Sequence, residues 1–340
     1  MGYTVYIGTY TNAGGTGVYR AALDGGGKLS SIDAAESISP SYLIYSSDKK
    51  YVYAANEARE VDGVPGGAIT AFVVQGDGSL QKTVVHTGCG SSPCHLLELD
   101  GYLYISNYGD GSVTAYPLVN GVPAEAEFRH RHEGGGPDKR RQEGPHAHCA
   151  MAVPGTDVFC VIDLGIDQAR FYKKDGKSLA LIQALALGGG SGPRHVVFSR
   201  DGRFGWIVTE LSNEVYCIKC DNGDWAITGI FSTLPAGYSG VSNCAAIRLT
   251  DDSKLLAASN RGHDSAAIYD VDTATGLLTL KGIYSVGGKT PRDINFTPDG
   301  KWLISANQDS DIVTVLSVED GFSLVDGASL TISRPTSILV

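Results

Sequence analysis

The sequence is short of charge, of methionine and of tryptophan. Only 19% of its 340 residues are charged, with two Met and three Trp. Little charge and 42% hydrophobic residues exclude a disordered chain. Basic residues are also in deficit, 27 Lys and Arg against 37 Asp and Glu, a net charge of −10. That argues against nucleic-acid or anionic-membrane partners, which need a basic face. No apolar run is long enough to span a bilayer; the most apolar, 179–187, is far too short. The first residues have no basic start and no apolar targeting core, so a cytoplasmic location is expected. Seven cysteines are odd in number and lack framework spacing, so they are read as reduced thiols. Cys217-Ile-Lys-Cys220 has no second pair and sits in a strand pattern, which argues against zinc or redox chemistry. There is no G-x-S-x-G elbow, no P-loop and no dinucleotide fingerprint; the triple glycine at 188–190 falls in a connection.

What is abundant is glycine, 44 residues or roughly twice ordinary usage, beside 17 Tyr and many Val, Ile and Thr. This composition gives short strands and tight turns and excludes a helical bundle. A repeat organises them. A small residue and usually Pro open a strand, a polar turn follows, and a second strand ends in Asn, Asp or Thr. Copies start near Pro40, Pro93, Pro145, Pro193, Asn243 and Pro291, and their second strands end at Asn56, Asn107, Asp163, Thr209, Asn260 and Asn307. A seventh copy is split between Pro335 at the C-terminus and Tyr3–Tyr10 at the N-terminus. A strand-filled period near fifty residues predicts an all-β, seven-bladed β-propeller with four-stranded blades. One blade is shared by the two termini, and residues 1–340 form a single domain. A pair of β-sandwiches would suit the strand spacing alone, but not seven copies of one hairpin. The Trp-Asp dipeptide of one large propeller class never occurs.

Antiparallel pairing brings the start of each first strand and the end of each second strand to one end of the hairpin. One mouth of the channel therefore collects two columns of side chains. The first holds Ser41 and Tyr42, Cys94 and His95, His146 and His148, Arg194 and His195, Cys244, Arg292 and Asp293, and Thr336. The second holds Glu57, Tyr108, Leu164, Glu210, Arg261, Gln308 and Tyr10. Convergent ionisable groups at one mouth are the candidate site. The recurrent Asn and Asp residues read as turn and backbone partners. His146 and His148, two apart, point to one side if their strand is regular. Arg194 and Arg292, at one repeat position, suit an anion. A long, locally basic insertion, 124–143, carries Arg140 and Arg141 and reads as a flexible loop able to close over an anionic substrate. Its His130 and His132 read as solvated. No acidic or His-rich set completes His146-x-His148 as a metal site, so neither metal nor cofactor is expected.

These residues carry a resemblance. Arg141-Gln-Glu-Gly-Pro-His-Ala-His148, Asp163-Leu-Gly-Ile-Asp167, Gly192-Pro-Arg-His195, Ser259-Asn-Arg-Gly-His-Asp-Ser265, Thr290-Pro-Arg-Asp293 and Ala306-Asn-Gln-Asp-Ser310 resemble the lactonase family of seven-bladed propellers. So do Tyr6-Ile-Gly-Thr-Tyr-Thr11, Asn56-Glu57 and Asn107-Tyr-Gly109, and the likeness runs over essentially the whole chain. It implies hydrolysis of a sugar lactone, with the δ-lactone of 6-phosphogluconate in the pentose phosphate pathway as the best-known substrate, or carboxymuconate-type lactonising chemistry. It also implies a catalytic set at His148, Arg194, Glu210 and Arg261. His146, His195, Arg292, Glu57, Gln308 and Arg141 are then substrate-binding candidates. One departure is Cys244-Ala245-Ala246, where relatives tend to carry Ala-Ala-Glu.

The expected partner is a small anionic lactone, and the chain is expected to be a monomer or weak homo-oligomer. Glu210 or His148 is the candidate base, with arginines for the developing oxyanion. The rival readings are a non-catalytic propeller that binds a metabolite or protein, and a metal-dependent sugar-acid lyase.

Overall fold

The computed structural model describes residues 2–340. Its strands form seven antiparallel blades that run outward from a central channel in chain order. Blade I is Pro40–Tyr45, Tyr51–Asn56, Ala68–Val74 and Leu80–Thr87. Blade II is Pro93–Leu99, Tyr102–Asn107, Ser112–Val119 and Phe128–Arg131; blade III is Ala147–Ala152, Phe159–Asp163, Gln168–Asp175 and Ser178–Ala186. Blade IV is Pro193–Phe198, Phe204–Thr209, Glu214–Asp221 and Asp224–Ser232; blade V is Asn243–Leu249, Leu255–Arg261, Ser265–Val271 and Leu278–Ser285. Blade VI is Pro291–Phe296, Trp302–Asn307 and Ile312–Ser317, closed outside by two short pieces, Ser323–Leu324 and Leu330–Thr331. Blade VII joins Pro335–Leu339 to Tyr3–Thr9, Gly17–Leu23 and Leu29–Glu36. The only helix among the described residues is a short 3₁₀ turn, Gln308–Ser310. None is long and apolar enough to cross a membrane.

Burial falls from the inside outward. Tyr51–Asn56 and Phe204–Thr209 are buried on both faces almost throughout, whereas Ser178–Ala186 and Asp224–Ser232 alternate or face water. Both faces of an inner strand are covered because each blade packs between two others. The apolar core is accordingly seven clusters, each in the seam between two adjacent blades. Phe171, Ile207 and Trp225 fill the III–IV seam; Tyr6, Leu43 and Phe72 fill the VII–I seam. The seam between VI and VII holds Ile7, Val313 and Ile338. Inner strands touch their neighbours all the way round the ring.

Repeated local chemistry holds each blade in register. The hairpins joining first and second strands use a Ser/Thr-x-Asp turn: Ser46 with Asp48, Ser199 with Asp201, Thr250 with Asp252 and Thr297 with Asp299, at 2.6–2.8 Å. In blades I, II and V the buried Asn ending the second strand ties that strand to the chain entering the blade. Asn56 Nδ2 donates to Ile38 O (2.6 Å), Asn107 Nδ2 to Cys89 O (3.1 Å) and Asn260 Nδ2 to Thr233 O (2.9 Å). These recurrent residues are structural partners, as their sequence context implied.

The start of every inner strand is bulged, which the sequence did not reveal. Pro93 faces Asn107, yet His95 already faces Ser106, so Cys94 is left over. The same offset isolates Ser41, His148, Arg194, Arg292 and Thr336. In blade V, Cys244 faces Asn260 and Ile247 faces Ala258, with Ala245 at the bulge. Register also corrects the repeat alignment in two blades. In blade III it is Ala147, not Pro145, that faces the terminal Asp163; in blade V it is Cys244, not Asn243, that faces the terminal Asn260.

Ring closure is explicit: Tyr6 faces Leu339, Ile7 faces Ile338 and Gly8 faces Ser337. Removing residues 334–340 exposes an edge of Tyr3–Thr9 and opens two seams. We expect the truncated chain to lose several degrees or more in melting temperature, read by calorimetry. An unchanged melting temperature would contradict this closure.

Candidate active site

The bulges decide which side chains reach the channel mouth. An extra residue cannot pair in the ladder, so its side chain is re-aimed, here toward the axis. A cleft of about 210 Å³ opens at the face where the inner strands begin. From the bulge positions come Cys94, His148, Arg194 and Arg292; from the ends of the second strands come Tyr10, Glu57, Tyr108, Glu210 and Arg261. Arg141 completes the lining from the insertion.

Glu210 is the electrostatic centre. Its Oε2 accepts from Arg194 Nε at 3.0 Å and lies 2.8 Å from Arg261 Nη2, while Oε1 accepts from Arg141 Nη2. Burial alone would raise its carboxyl, but Arg261, Arg194 and Arg141 outweigh burial and hold it far below the usual range. Both Glu210 oxygens are taken up by guanidiniums, Arg194 and Arg261 at Oε2 and Arg141 at Oε1, so the geometry does not favour Glu210 as the base. Arg194 is fixed on three sides, its Nη1 donating to Ala245 O (2.7 Å) and to His195 Nε2 (3.3 Å). Nη2 of Arg194 makes no hydrogen bond to any described residue. Burial, then the Arg261 charge, lowers the Arg194 guanidinium to about 10, so it stays charged at neutral pH. Opposite, Arg292 Nη2 donates to Glu57 Oε2 (3.4 Å) and the guanidinium sits 5.1 Å from the centre of the Tyr10 ring. Tyr10 donates to the same Glu57 oxygen at 2.7 Å.

His148 is neutral in this setting. Burial, then the Arg194 charge, pushes its imidazole well below the ordinary histidine range. Its Nδ1 lies 3.8 Å from Cys94 Sγ, and Nε2 makes no hydrogen bond to any described residue. Four arginines face two carboxylates, so the cleft carries an excess of two positive charges.

Three expected contributors stand apart from the lining. His146 precedes the bulged strand; its ring stacks on Tyr108 with centroids 4.3 Å apart, and its Nδ1 donates to Tyr108 O at 2.7 Å. Both histidine rings pack on Tyr108, His148 edge-on at 5.6 Å, but only His148 lines the cleft. His195 lies beneath the cleft, packed between His148 and His95. Gln308 is buried and turned to Asp309. Cys94, Tyr10 and Tyr108 line the cleft; their column positions were legible in the sequence.

The insertion is ordered rather than loose. Phe128–Arg131 forms the outer strand of blade II. Gln142, fully buried, donates to Leu164 O and to Asp167 Oδ1, both at 2.8 Å, which seats Arg141 over Glu210. His132 is buried, not solvated, and donates to Asp163 Oδ2 at 2.6 Å; His130 is half-buried against Tyr172. Among the described residues no cluster of three or more His, Cys, Asp and Glu is arranged to hold a metal. A larger cavity of about 400 Å³ lies toward the later halves of the inner strands, lined by Ile44, Met151, Phe198 and Leu249. Its half-buried Arg248 is matched by the buried Asp293 at 2.7 Å.

Two outcomes follow from this electrostatics. Glu210→Gln leaves three guanidiniums without their shared anion and should cost about 3–5 kcal/mol in denaturant unfolding. Added phosphate should restore more stability to that variant than to the parent. His95, His148 and His195 all have imidazoles held well below the ordinary value, chiefly by burial. The unfolded chain therefore binds protons that the folded one refuses. Stability is full above about pH 6.5 and falls below it, by up to about 4 kcal/mol per pH unit if all three take part. A stability that stays flat from pH 7 to 5 would refute this.

Comparison with known proteins places this architecture. The family model described as "Lactonase, 7-bladed beta-propeller" matches residues 4–339. A 6-phosphogluconolactonase of Bacillus subtilis is 30% identical over 315 residues, 91% of this chain and 89% of that one. The periplasmic gluconolactonase of Pseudomonas aeruginosa superposes with a TM-score of 0.93 at 28% identity, covering 100% of this chain and 99% of that one. A protein from Lactobacillus plantarum gives 0.89 at 28% identity over 99% of each chain. The chain belongs to the lactonase family of seven-bladed β-propellers, enzymes acting on lactones.

Proposed function

We propose that this protein hydrolyses 6-phosphoglucono-δ-lactone to 6-phosphogluconate, the step that opens the lactone in the pentose phosphate pathway. The observation that carries this reading is the charge of the cleft. With His148 neutral, four arginines against Glu57 and Glu210 leave two positive charges. A phosphomonoester brings nearly two negative charges near pH 7, and the lactone ring brings none. The similarity to the Bacillus subtilis 6-phosphogluconolactonase supports the same substrate. Seven free thiols suit a reducing compartment, and we place the enzyme in the cytoplasm.

In the mechanism we favour, His148 is the base. A neutral imidazole takes a proton from water as the water oxygen attacks the lactone carbonyl. The carbonyl oxygen becomes an oxyanion, met by Arg194 Nη2 and the Arg261 guanidinium. Collapse breaks the ring C–O bond, and the proton on His148 passes to the departing alkoxide. Glu210 does not move a proton; it orients Arg194, Arg261 and Arg141. Arg292, with Arg141, is assigned to the phosphate.

Arg194→Ala and Arg261→Ala should each lower kcat/KM by about a hundredfold or more while folding normally. Arg194→Lys should recover little, because lysine lacks the planar fork that holds Ala245 O, His195 and Glu210 together. The rate should stay level down through about pH 6.5, the ordinary histidine value, and fall only well below it, since the base loses function when protonated and burial lowers its affinity for the proton. These are read by pH-stat titration against spontaneous hydrolysis. Parent-like rates in both alanine variants would remove the arginines from the mechanism. Equal KM for phosphorylated and unphosphorylated lactone would remove the phosphate assignment.

A further inference from the structure

Directly beneath the cleft, on the channel axis, lies a second and much smaller space. It is lined by Ser41, Tyr42, Cys94, Arg194, His195, Arg292, Asp293 and Thr336, and shares Cys94, Arg194 and Arg292 with the cleft above. About 10 Å³ of it is open to the centre of a water-sized sphere, about the room one buried water needs.

Three polar atoms of its lining are enclosed and without any hydrogen-bond partner among the described residues: Ser41 Oγ, Thr336 Oγ1 and His195 Nδ1. Their residues are 5%, 2% and 4% exposed. Isolated buried polar atoms are costly, and three in one chamber point to a shared ligand. The protonation of His195 can be worked out from its other nitrogen. Arg194 Nη1 lies 3.3 Å from His195 Nε2, and a guanidinium only donates, so Nε2 accepts. A neutral His195 therefore carries its proton on Nδ1, the atom without a partner. The chamber thus holds one obligate N–H donor and two hydroxyls.

We propose that Ser41, Thr336 and His195 seat one ordered water, and that this water positions Arg194 by fixing the tautomer and ring of His195. The water accepts from His195 Nδ1–H and from one hydroxyl and donates to the other, three bonds in all, the usual number for a buried water. His195 is then locked as the acceptor for Arg194 Nη1, which keeps Nη2 aimed into the cleft. The water site stands on this geometry alone; the consequence for rate rests on the lactonase reading. His195, Ser41 and Thr336 are positioning residues, since none of them lines the cleft.

The test compares the parent with Thr336→Val, which is isosteric, and with the double variant Ser41→Ala/Thr336→Val. Crystal structures at 1.5 Å or better should show one water within hydrogen-bond distance of all three atoms in the parent, and none in the double variant. Nitrogen-15 spectra of the imidazoles, with the His195 signals assigned by His195→Gln, should give the Nδ1–H tautomer in the parent and a shifted or exchanging signal in the variants. In lactone kinetics kcat should fall about tenfold in the double variant, with KM within twofold. Thr336→Ser, which keeps the hydroxyl, should restore it. No water in the parent chamber, or an Nε2–H tautomer, overturns the site. Loss of melting temperature with kcat and the Arg194 geometry unchanged overturns the positioning role. A parent inert toward every lactone defeats the proposed function instead, and leaves the water and tautomer to be decided by crystals and spectra. If the double variant does not fold, Thr336→Val alone carries the comparison.

Discussion

The constraint on which the site depends is the one-residue offset between the first and second strands of every blade. Without it, ladder pairing would alternate side chains between two blade faces, and each would be absorbed into an inter-blade seam. With it, one residue per blade escapes pairing and turns to the axis. Ser41, Cys94, His148, Arg194, Ala245, Arg292 and Thr336 are that ring. The seams are nearly interchangeable hydrophobic packing. The ring is not, and apart from Arg141 of the insertion the cleft lining comes from it and from the residues just past the recurrent Asn, Asp or Thr of the second strands.

Charge within the ring is arranged around Glu210 rather than distributed. Arg194 comes from the same blade as Glu210, Arg261 from blade V and Arg141 from the insertion that leads into blade III. One carboxylate thereby sets the mutual positions of three guanidiniums that arrive along three separate routes. Like charges held this close would otherwise repel, and the shared anion offsets that repulsion. Arg292 has its own carboxylate in Glu57. A substrate anion entering between these pairs meets guanidiniums that are already oriented, which is the preorganisation that electrostatic catalysis uses.

The seven-bladed architecture was legible because it is written seven times: a period, a Pro, a polar turn and a terminal Asn survive even where single signals are weak. The split blade was legible for the same reason. The cleft was mostly legible from antiparallel pairing, which places both columns at one mouth. What stayed hidden was register. A bulge has no composition, so Pro145 passed for an equivalent of Pro193 and put His146 level with His148. The insertion misled in the other direction: its glycine run at 134–136 looked mobile, but the anchor is Gln142, whose partners Leu164 and Asp167 lie in another blade. Gln308 could not be told from a cleft residue because its side chain is diverted by its own neighbour, Asp309.

Closure of Pro335–Leu339 on Tyr3–Thr9 also fixes when the ring can first exist. Tyr3–Thr9 leaves the ribosome well before its partner Pro335–Leu339, which is made roughly 330 residues later. At about 5–20 residues per second, that is roughly 15–70 s of synthesis. Throughout it, an apolar strand carrying Val5, Tyr6 and Ile7 has an unpaired edge, and the seams on both sides of blade VII lack Ile338 and Leu339. Blades I to VI can form in order behind it, but the ring cannot lock until translation has delivered the closing strand, Pro335–Leu339. The same arrangement that pairs the inner edge of Tyr3–Thr9 in the finished propeller leaves that edge open in the nascent chain while the six other blades are made, so the demand on chaperones falls on this strand.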